Sequence, residues 1–448
     1  MKSNRREFLK KGMWAAASAV VLPNIIPSSA LGMGNSVAPN SRLTMGIIGA
    51  GGMGNANMGH FLNDKRIQIT SVCDVDERNA KRAIDRIDKK YGSSGVNGYG
   101  DFREMLNNEK LDTTMMALPD HWHSIIAVSV AKKGIHIYGE KPLARSVYEG
   151  KKIVEAVKKN NVTWQTGSWQ RSVGHFHKAV SLVRNGLIGK VNYVEVGLPD
   201  GNATIGTPPI KNVPKGVDWD MWLGPAPKVP FRGILHFHWR WIMDYSGGQL
   251  TDWAGHHIDI AHWGLNMENQ GPKTIEGKGV YPVDGIYDVP VEYDFMCEYD
   301  NGVRLRVANQ QTYHESRQGK EWGGRQGNRL GMGAVWYGEN GWIQVNRHGI
   351  WASNPELLKT PIESLDTKIY HSTDHWKNFV DCIQDNKKTI APAEVAHRSV
   401  SVALLGEIAM LTGQKINWDY QKEEIVGNEM ASRLLMRPMR NPWAIPTI

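Results

Sequence analysis

From residue 43 onward, apolar and polar positions follow two rhythms. Short, mostly apolar runs at 43–48 and 113–118, and strand patterns at 67–73, 135–138 and 163–166, predict buried strands. Between them lie helical patterns: the stretch opened by the glycines after 48, the charged amphipathic segment 77–90, residues 121–133 with apolar side chains at 125, 126, 128 and 130, and residues 147–159. Strand and helix in alternation predict a parallel sheet with helices on both faces. After residue 167 the rhythm changes. A helix over 175–185 leads into a strand at 191–197, a proline- and tryptophan-rich loop at 208–230, and a helix over 248–264. Short alternating strands follow at 292–299, 303–309, 335–337 and 342–345. Asp300-Asn301-Gly302 and Glu339-Asn340-Gly341 are their turn signals, so antiparallel hairpins are expected. Helices over 374–385 and 394–412 close the chain, and no internal repeat is present. The fold class is therefore α/β, with a Rossmann-type doubly wound domain at 43–167. An α+β domain with a large open, mostly antiparallel sheet follows at 168–448.

The first strand runs into Gly49-x-Gly51-x-x-Gly54, which should open a helix. The first glycine permits the tight turn, the second lets backbone approach a pyrophosphate, and the third allows close helix–strand packing. Alone this is an ordinary glycine-rich turn. The second strand, however, ends at Asp74, twenty residues after Gly54. A carboxylate there can hold a ribose 2′-hydroxyl, so the pair points to a dinucleotide. Asp74 would repel a 2′-phosphate, which favours NAD over NADP; Arg78, one helical turn on, could soften that repulsion.

The first thirty residues read as an export signal. Arg5-Arg6 in Asn4-Arg-Arg-Glu-Phe-Leu-Lys10 form a twin-arginine motif, followed by an apolar stretch at 13–26 and small residues Ser28-Ser29-Ala30. A retained basic amphipathic helix is the alternative, and the apolar stretch is short for a membrane span. Residues 31–42 read as a linker. Lys2, Arg5, Arg6, Lys10 and Lys11 against Glu7 supply half of the chain's net charge of +8, and no long run of like charge remains. A nucleic-acid role is thereby disfavoured. Three widely spaced cysteines among 448 residues suggest neither a disulfide framework nor a zinc site.

Two further segments carry chemistry. In Gly247-Gly248-Gln249-Leu250-Thr251-Asp252-Trp253-Ala254-Gly255-His256-His257-Ile258-Asp259, a regular helix places Asp252, His256 and Asp259 on one face. A carboxylate one turn from an imidazole can orient it and tune its basicity. His256, His257 and His262 raise a metal as an alternative, but adjacent histidines point to different faces, and a merely polar helix end is the plainer one. The second segment, Glu140-Lys141-Pro142, follows a parallel strand directly. Ligands of such sheets bind at the carboxyl ends of strands. A lysine there can favour an alkoxide and relay a proton, although a surface lysine is the default. The expected cofactor contacts are Gly49, Gly51, Gly52, Met53, Gly54, Asp74, Arg78, Pro119, His121, Glu140 and Lys141. His123, Gln170, Arg171, Trp239, Arg240 and His257 form a second tier that could meet substrate. Of 17 tryptophans, Trp122, Trp169, Trp239, Trp241 and Trp253 flank these motifs. Flat rings suit the apolar faces of sugars, and equally suit a core.

These segments together resemble the glucose–fructose oxidoreductase, inositol dehydrogenase and MocA family. The resemblance covers nearly the whole chain from residue 43. The stretch Asp218-Trp219-Asp220-Met221-Trp222-Leu223-Gly224-Pro225 looks like the subgroup exported by Bacteroidetes and related bacteria. The resemblance implies hydride exchange between NAD or NADP and a hydroxyl carbon of a sugar or cyclitol, and assembly of dimers or tetramers through the open sheet. It assigns Lys141 as catalytic lysine and Asp252 and His256 as an aspartate–histidine pair. Gln249 and His257 depart from the family pattern and leave the substrate open.

On this reading His256 takes the hydroxyl proton, Asp252 orients His256, and Lys141 steadies the oxygen. Export to the periplasm adds a constraint, since little free NAD exists there to exchange. A retained cofactor suits transient oxidation, elimination of a glycosidic substituent and return of the hydride, with net glycoside cleavage as the alternative. A non-catalytic sugar-binding protein is a third possibility. No metal and no lasting membrane insertion are expected.

Overall fold

Burial of the short apolar runs builds a six-stranded parallel sheet in the order β3-β2-β1-β4-β5-β6. Its strands are β1 (Leu43–Ile48), β2 (Ile67–Cys73), β3 (Asn97–Tyr99), β4 (Thr113–Met116), β5 (His136–Gly139) and β6 (Trp164–Thr166). The structure is a computed structural model and describes residues 41–233, 237–309 and 332–448. The expected export signal and nearly all of the linker lie outside the described residues. Helices α1 (Gly52–Asn63), α2 (Glu77–Tyr91), α3 (Phe102–Asn108), α4 (His123–Ala131) and α5 (Val147–Lys159) connect the strands. Asp76 caps α2 by accepting from the Arg78 N–H, and Ser146 caps α5 through Glu149. The strand order reverses between β1 and β4, the place where open α/β sheets bind ligands. β3 and α3 were not expected. β3 reads Asn-Gly-Tyr, with no apolar run, and is a three-residue edge strand.

The second sheet has nine strands in the order β13-β12-β11-β7-β10-β9-β8-β14-β15. They are β7 (Val191–Leu198), β8 (Thr274–Val280), β9 (Glu292–Glu298), β10 (Arg304–Asn309), β11 (Gly333–Gly338), β12 (Gly341–Asn346), β13 (Gly349–Ala352), β14 (Ile416–Asp419) and β15 (Glu424–Ile425). Among the described residues, β7 and β10 pair in parallel and the other neighbours are antiparallel. In β9, Tyr293, Phe295 and Cys297 alternate inward with polar neighbours outward, as one covered face requires. The cover includes α6 (Gly174–Arg184), the segment around residue 250, which follows the short α7 (Trp219–Leu223), and the late helix α11 (Ala393–Thr412), whereas α10 (His375–Asp385) packs beside the first sheet.

The residues expected to form one helix over 248–264 form three pieces: α8 (Gly248–Trp253), a π-turn (Ala254–Ile258) and α9 (Asp259–Leu265). The wider turn inserts backbone between the two ends and rotates one against the other. Asp252 and Asp259 therefore do not share a face, contrary to the expectation from regular helical spacing. The terminal helix α12 (Glu429–Arg433) precedes a tail whose Trp443 packs edge-on against Trp122, 4.7 Å between centroids.

The two sheets share one interior. Phe379 and Val380 of α10 pack into the apolar layer of Met45, Ile47, Phe61 and Ile69 beside the first sheet. Residues 43–448 form a single compact unit.

Candidate active site

At the switch point between β1 and β4 a cavity of about 1240 Å³ opens, solvent at its mouth included. The glycine turn forms one wall. Gly49 has φ +85°, and a Cβ there would stand 2.2 Å from the Ala117 carbonyl oxygen; one at Gly54 would stand 1.9 Å from that of Gly49. Gly51 and Gly52, by contrast, have nothing within 4 Å on their Cβ side. The turn is thus closed behind and open in front, at the amino end of α1, which fits a pyrophosphate. Asp74 is held by the Ala50 and Asp76 N–H groups, each at 2.8 Å. The Asn79 side chain donates a third hydrogen bond, and the carboxylate keeps one further lone pair for a ribose hydroxyl. Burial raises this carboxyl above its ordinary value, against the pull of those hydrogen bonds. Met53, Pro119 and Glu140 also line the cavity. Arg78 does not. Its side chain is 56% exposed and pairs with Asp76 at 2.7 Å, so it is turned away from Asp74 and does not offset that charge.

Lys141, Trp239, Arg240 and Asp252 complete the wall. Lys141 Nζ donates to Asp252 Oδ1 at 2.9 Å, and Arg240 Nε lies 3.8 Å from the same oxygen. Burial opposes ionisation of Asp252, but the charges of Lys141 and Arg240 outweigh it and hold the carboxyl below its usual range. The lysine stem crosses the π-turn at Gly255, where a Cβ would approach Lys141 Cβ to 3.0 Å. Glu140 faces the other way. Its Oε1 accepts from Asn57 Nδ2 at 2.7 Å, and Asn57 Oδ1 accepts from Trp376 at 3.0 Å. Burial raises the Glu140 carboxyl, with Lys141 opposing.

The other expected residues are not among those lining this cavity. His256 is buried between Trp253 and Trp169, with centroids at 5.5 and 6.3 Å, and does not hydrogen-bond Asp252. Its Nδ1 has no partner among the described residues. Burial first, then Lys141 and Arg347, push it well below 6.5, so it is neutral. The expected Asp252–His256 pair is thus replaced by Asp252–Lys141, because the π-turn swings the imidazole off the carboxylate's face. His121 Nε2 bonds the Trp222 carbonyl at 3.0 Å, and His123 sits between the carbonyls of Pro142 and Leu118. Both are structural clamps that do not line the cavity. Gln170 contacts His257 at 3.3 Å, and Arg171 is committed to Asp259 at 2.6 and 2.8 Å and to Glu268 at 2.6 Å. Neither reaches the cavity wall.

Residues missed from sequence include Asn57, Asp120 and Arg347. Asn57 follows Gly54 by one turn of α1, a spacing that could have placed it. Asp120 lines the cavity, accepts from Ser246 Oγ at 2.6 Å and is raised by burial. Arg347 stands in a hairpin turn and left no signal.

Burial holds His121, His257 and His262 at about 3 and His375 at about 4. Unfolding releases each to about 6.5, so between these values the unfolded chain binds protons that the folded chain refuses. Stability is therefore full above pH ~6.5 and falls on acidification, by about 2 kcal/mol per histidine at pH 5. Melting curves between pH 7 and pH 5 should show a steep fall; a flat profile would contradict the buried neutral state.

A Rossmann-type sheet with a nucleotide cradle, joined through one cavity to an open mixed sheet, defines a dinucleotide-binding protein with a substrate domain. Residues 43–168 match the family described as oxidoreductases with an NAD-binding Rossmann fold, and residues 201–318 and 353–445 match its C-terminal alpha/beta domain. The chain belongs to this oxidoreductase family, that of glucose–fructose oxidoreductase, inositol dehydrogenase and MocA. Among curated relatives, an alpha-N-acetylgalactosaminidase of Shewanella oneidensis is 26% identical over 210 residues, covering 43% of this chain and 45% of that one. The chain thus spans less than half the length of the curated relatives it first matches. Among solved structures, aldose-aldose oxidoreductase from Caulobacter crescentus, complexed with glycerol, aligns with TM-score 0.58 and 16% identity over 84% of this chain and 99% of that one. Levoglucosan dehydrogenase in complex with NADH and levoglucosan aligns with TM-score 0.55 and 19% identity over 84% and 99%. At such identities the likeness is one of fold.

Proposed function

We propose that the protein exchanges hydride between a tightly held nicotinamide cofactor, NAD in preference to NADP, and a hydroxyl carbon of a sugar, glycoside or cyclitol. One observation carries this reading: the glycine cradle, Asp74 and the Lys141–Asp252 pair all line a single cavity. Gly49, Gly51, Gly52, Met53, Gly54 and Asp74 hold the nucleotide, and Asp74 disfavours a 2′-phosphate. The bound cofactor supplies the redox chemistry, which no side chain here can. Lys141 hydrogen-bonds the reacting oxygen and stabilises negative charge on it; Asp252 fixes the ammonium in place. His256 takes the hydroxyl proton at Nε2; the ring is neutral, and its Nδ1 is buried without a partner among the described residues. Glu140, anchored by Asn57, shapes the strand end from which Lys141 projects.

A second reading has specific support. The first curated relatives include a glycosyl hydrolase family 109 protein and an alpha-N-acetylgalactosaminidase. The same groups would serve transient oxidation of a sugar: the ketone acidifies the neighbouring C–H, a base removes that proton as the glycosidic substituent leaves, water adds across the new double bond, and hydride returns to the ketone. Export through the twin-arginine route to the periplasm, proposed from residues 4–30, favours such a closed cycle. A homodimer or homotetramer completes the proposal.

Mass spectrometry of nucleotide released from the purified protein, followed by incubation with a panel of glycosides, tests both readings. NAD and a keto-sugar product are expected. Cleavage without accumulated reduced cofactor selects the second reading, and sugars left unchanged under oxidised and reduced conditions sink both.

A further inference from the structure

One wall of the cavity belongs to neither sheet. Residues 216–226, which contain α7, run between the turns that follow β2 and β4, the two strands on either side of β1. At one end the Glu77 N–H donates to the Gly216 carbonyl at 2.8 Å, Val217 bridges to Asp76, and the Asp218 N–H donates to the Val75 carbonyl at 2.9 Å. At the other end His121 Nε2 and Trp122 Nε1 both bond the Trp222 carbonyl at 3.0 Å. Gly224, at φ +48°, lies so close to Trp122 that a Cβ would stand 2.1 Å from its ring. Between these anchorages Met221 and Trp222 line the cavity, together with Val75 and Trp122. The segment is therefore a strap that bridges the strand ends flanking the glycine turn.

The strap is fastened in turn by residues that follow α12. Arg440 Nε donates to the carbonyls of Gly224 and Ala226 at 3.0 and 3.1 Å. Its Nη1 donates to the Asp220 carboxylate at 2.9 Å and its Nη2 to the Asp220 carbonyl at 3.0 Å. The Arg440 backbone N–H adds a bond to the Pro225 carbonyl at 2.8 Å. The end of a helix leaves carbonyls without partners inside it, and one planar guanidinium here serves two of them at once. Lys228 also meets Asp220, at 3.4 Å, but from a side chain that is 76% exposed. Trp443 packs edge-on against Trp122 and carries Arg103 4.8 Å over its own ring. Arg437 ties the same stretch to the turn after β4, donating to the His121 carbonyl at 2.6 Å and to buried Glu149 at 2.7 and 3.1 Å. Arg437, Arg440 and Trp443 do not line the cavity themselves. We infer that Arg440 is a positioning residue for the cofactor: it locks the strap beside the glycine turn, and bound nucleotide leaves only as fast as the strap lifts. Retention of this kind rests on the proposed function, whose tightly held cofactor it explains. Local opening sets the rate at which an enclosed ligand escapes, so loosening the lock speeds release without touching a nucleotide contact.

The test measures nucleotide release from the full protein and needs no turnover. The purified protein is equilibrated with radiolabelled NAD and chased with excess unlabelled NAD, and retained label is read after rapid gel filtration. Arg440→Gln should speed release about tenfold or more, since it removes several hydrogen bonds from a charged donor. Arg440→Lys should fall between this variant and wild type, because an ammonium lacks the fork that serves two carbonyls together. Trp443→Ala loosens the same fastening with Arg440 in place, and carries the test by itself if Arg440→Gln does not fold; about threefold faster release is expected. Arg398→Gln is the control, since it breaks a clasp to Glu423 and the Tyr420 carbonyl away from the cavity wall. Melting temperatures at saturating NAD are compared for all variants, so that lost ligand is not mistaken for a weakened fold. Release at the wild-type rate in Arg440→Gln, or in Trp443→Ala where that variant stands alone, overturns the inference. Equal acceleration by Arg398→Gln overturns it too, since general weakening would then suffice. The proposed function fails separately: faster release in Arg440→Gln, with every sugar left unchanged by the wild type, removes the reaction and leaves the strap. A keto-sugar product with release unaltered in the variants does the reverse, and a wild type that binds no NAD removes both.

Discussion

Lys141→Ala is expected to lower turnover about a thousand-fold while bound nucleotide stays at the wild-type level. The ammonium is the cationic donor that both lines the nucleotide cavity and bonds Asp252, at 2.9 Å. Its side chain is only 11% exposed, so water does not readily take over its part. Removing it takes away charge stabilisation at the reacting oxygen, a loss commonly of a hundred- to a thousand-fold for one donor. It also removes the largest favourable charge on Asp252, whose carboxyl should rise because only Arg240 and Arg347 then oppose burial. The nucleotide contacts at Gly49–Gly54 and Asp74 are untouched, which separates chemistry from cofactor binding. The measurements are kcat on a substrate from the glycoside panel and nucleotide content by absorbance. Turnover within tenfold of wild type would withdraw the role given to Lys141.

Arg171→Met is expected to destabilise the fold by about 3–5 kcal/mol, because it strands a buried carboxylate. Arg171 and Asp259 are each 2% exposed at the side chain and meet through two hydrogen bonds. Ser399 on α11 donates to Asp259 at 2.9 Å, and Glu268 takes the remaining edge of the guanidinium. Three separate parts of the chain are thereby tied at one point. Replacing both members, Arg171→Met with Asp259→Leu, should recover much of the loss, since a packed apolar pair avoids the desolvation of two charges. Urea midpoints report the stability, and substrate affinity is measured beside them. Weaker binding at unchanged stability would return Arg171 to the substrate-contacting role first expected of it.

Local signals were readable where a backbone demand and a side-chain pattern coincided. The glycine turn, Asp74 and strands β1 and β2 are such cases, since the turn needs Gly49 at positive φ and the strands are short segments rich in buried apolar residues. The alternation of β9 and β10 and the glycine turns beside them likewise marked the second sheet. The parallel pairing of β7 with β10 had no local mark, because it joins strands over a hundred residues apart in sequence. β3 and β15 are too short to form a pattern. In the site, Lys141 and Asp252 were found by type and position, but their partnership was not. Regular helical spacing assigned Asp252 to His256, and nothing in Ala254-Gly255-His256-His257-Ile258 announces a π-turn. His121, His123, Gln170 and Arg171 illustrate the opposite failure. Polar residues beside a motif look available in sequence, yet here they satisfy carbonyls, a histidine and buried acids.

The π-turn has a mechanical consequence. Downstream of it, Asp259 is moored to the interior through Arg171 and Ser399; upstream, Asp252 faces the cavity with Lys141. The widened coil works like a swivel between a mooring and a tool. Shortening it by one residue would leave the mooring in place and turn the tool's edge away from the lysine.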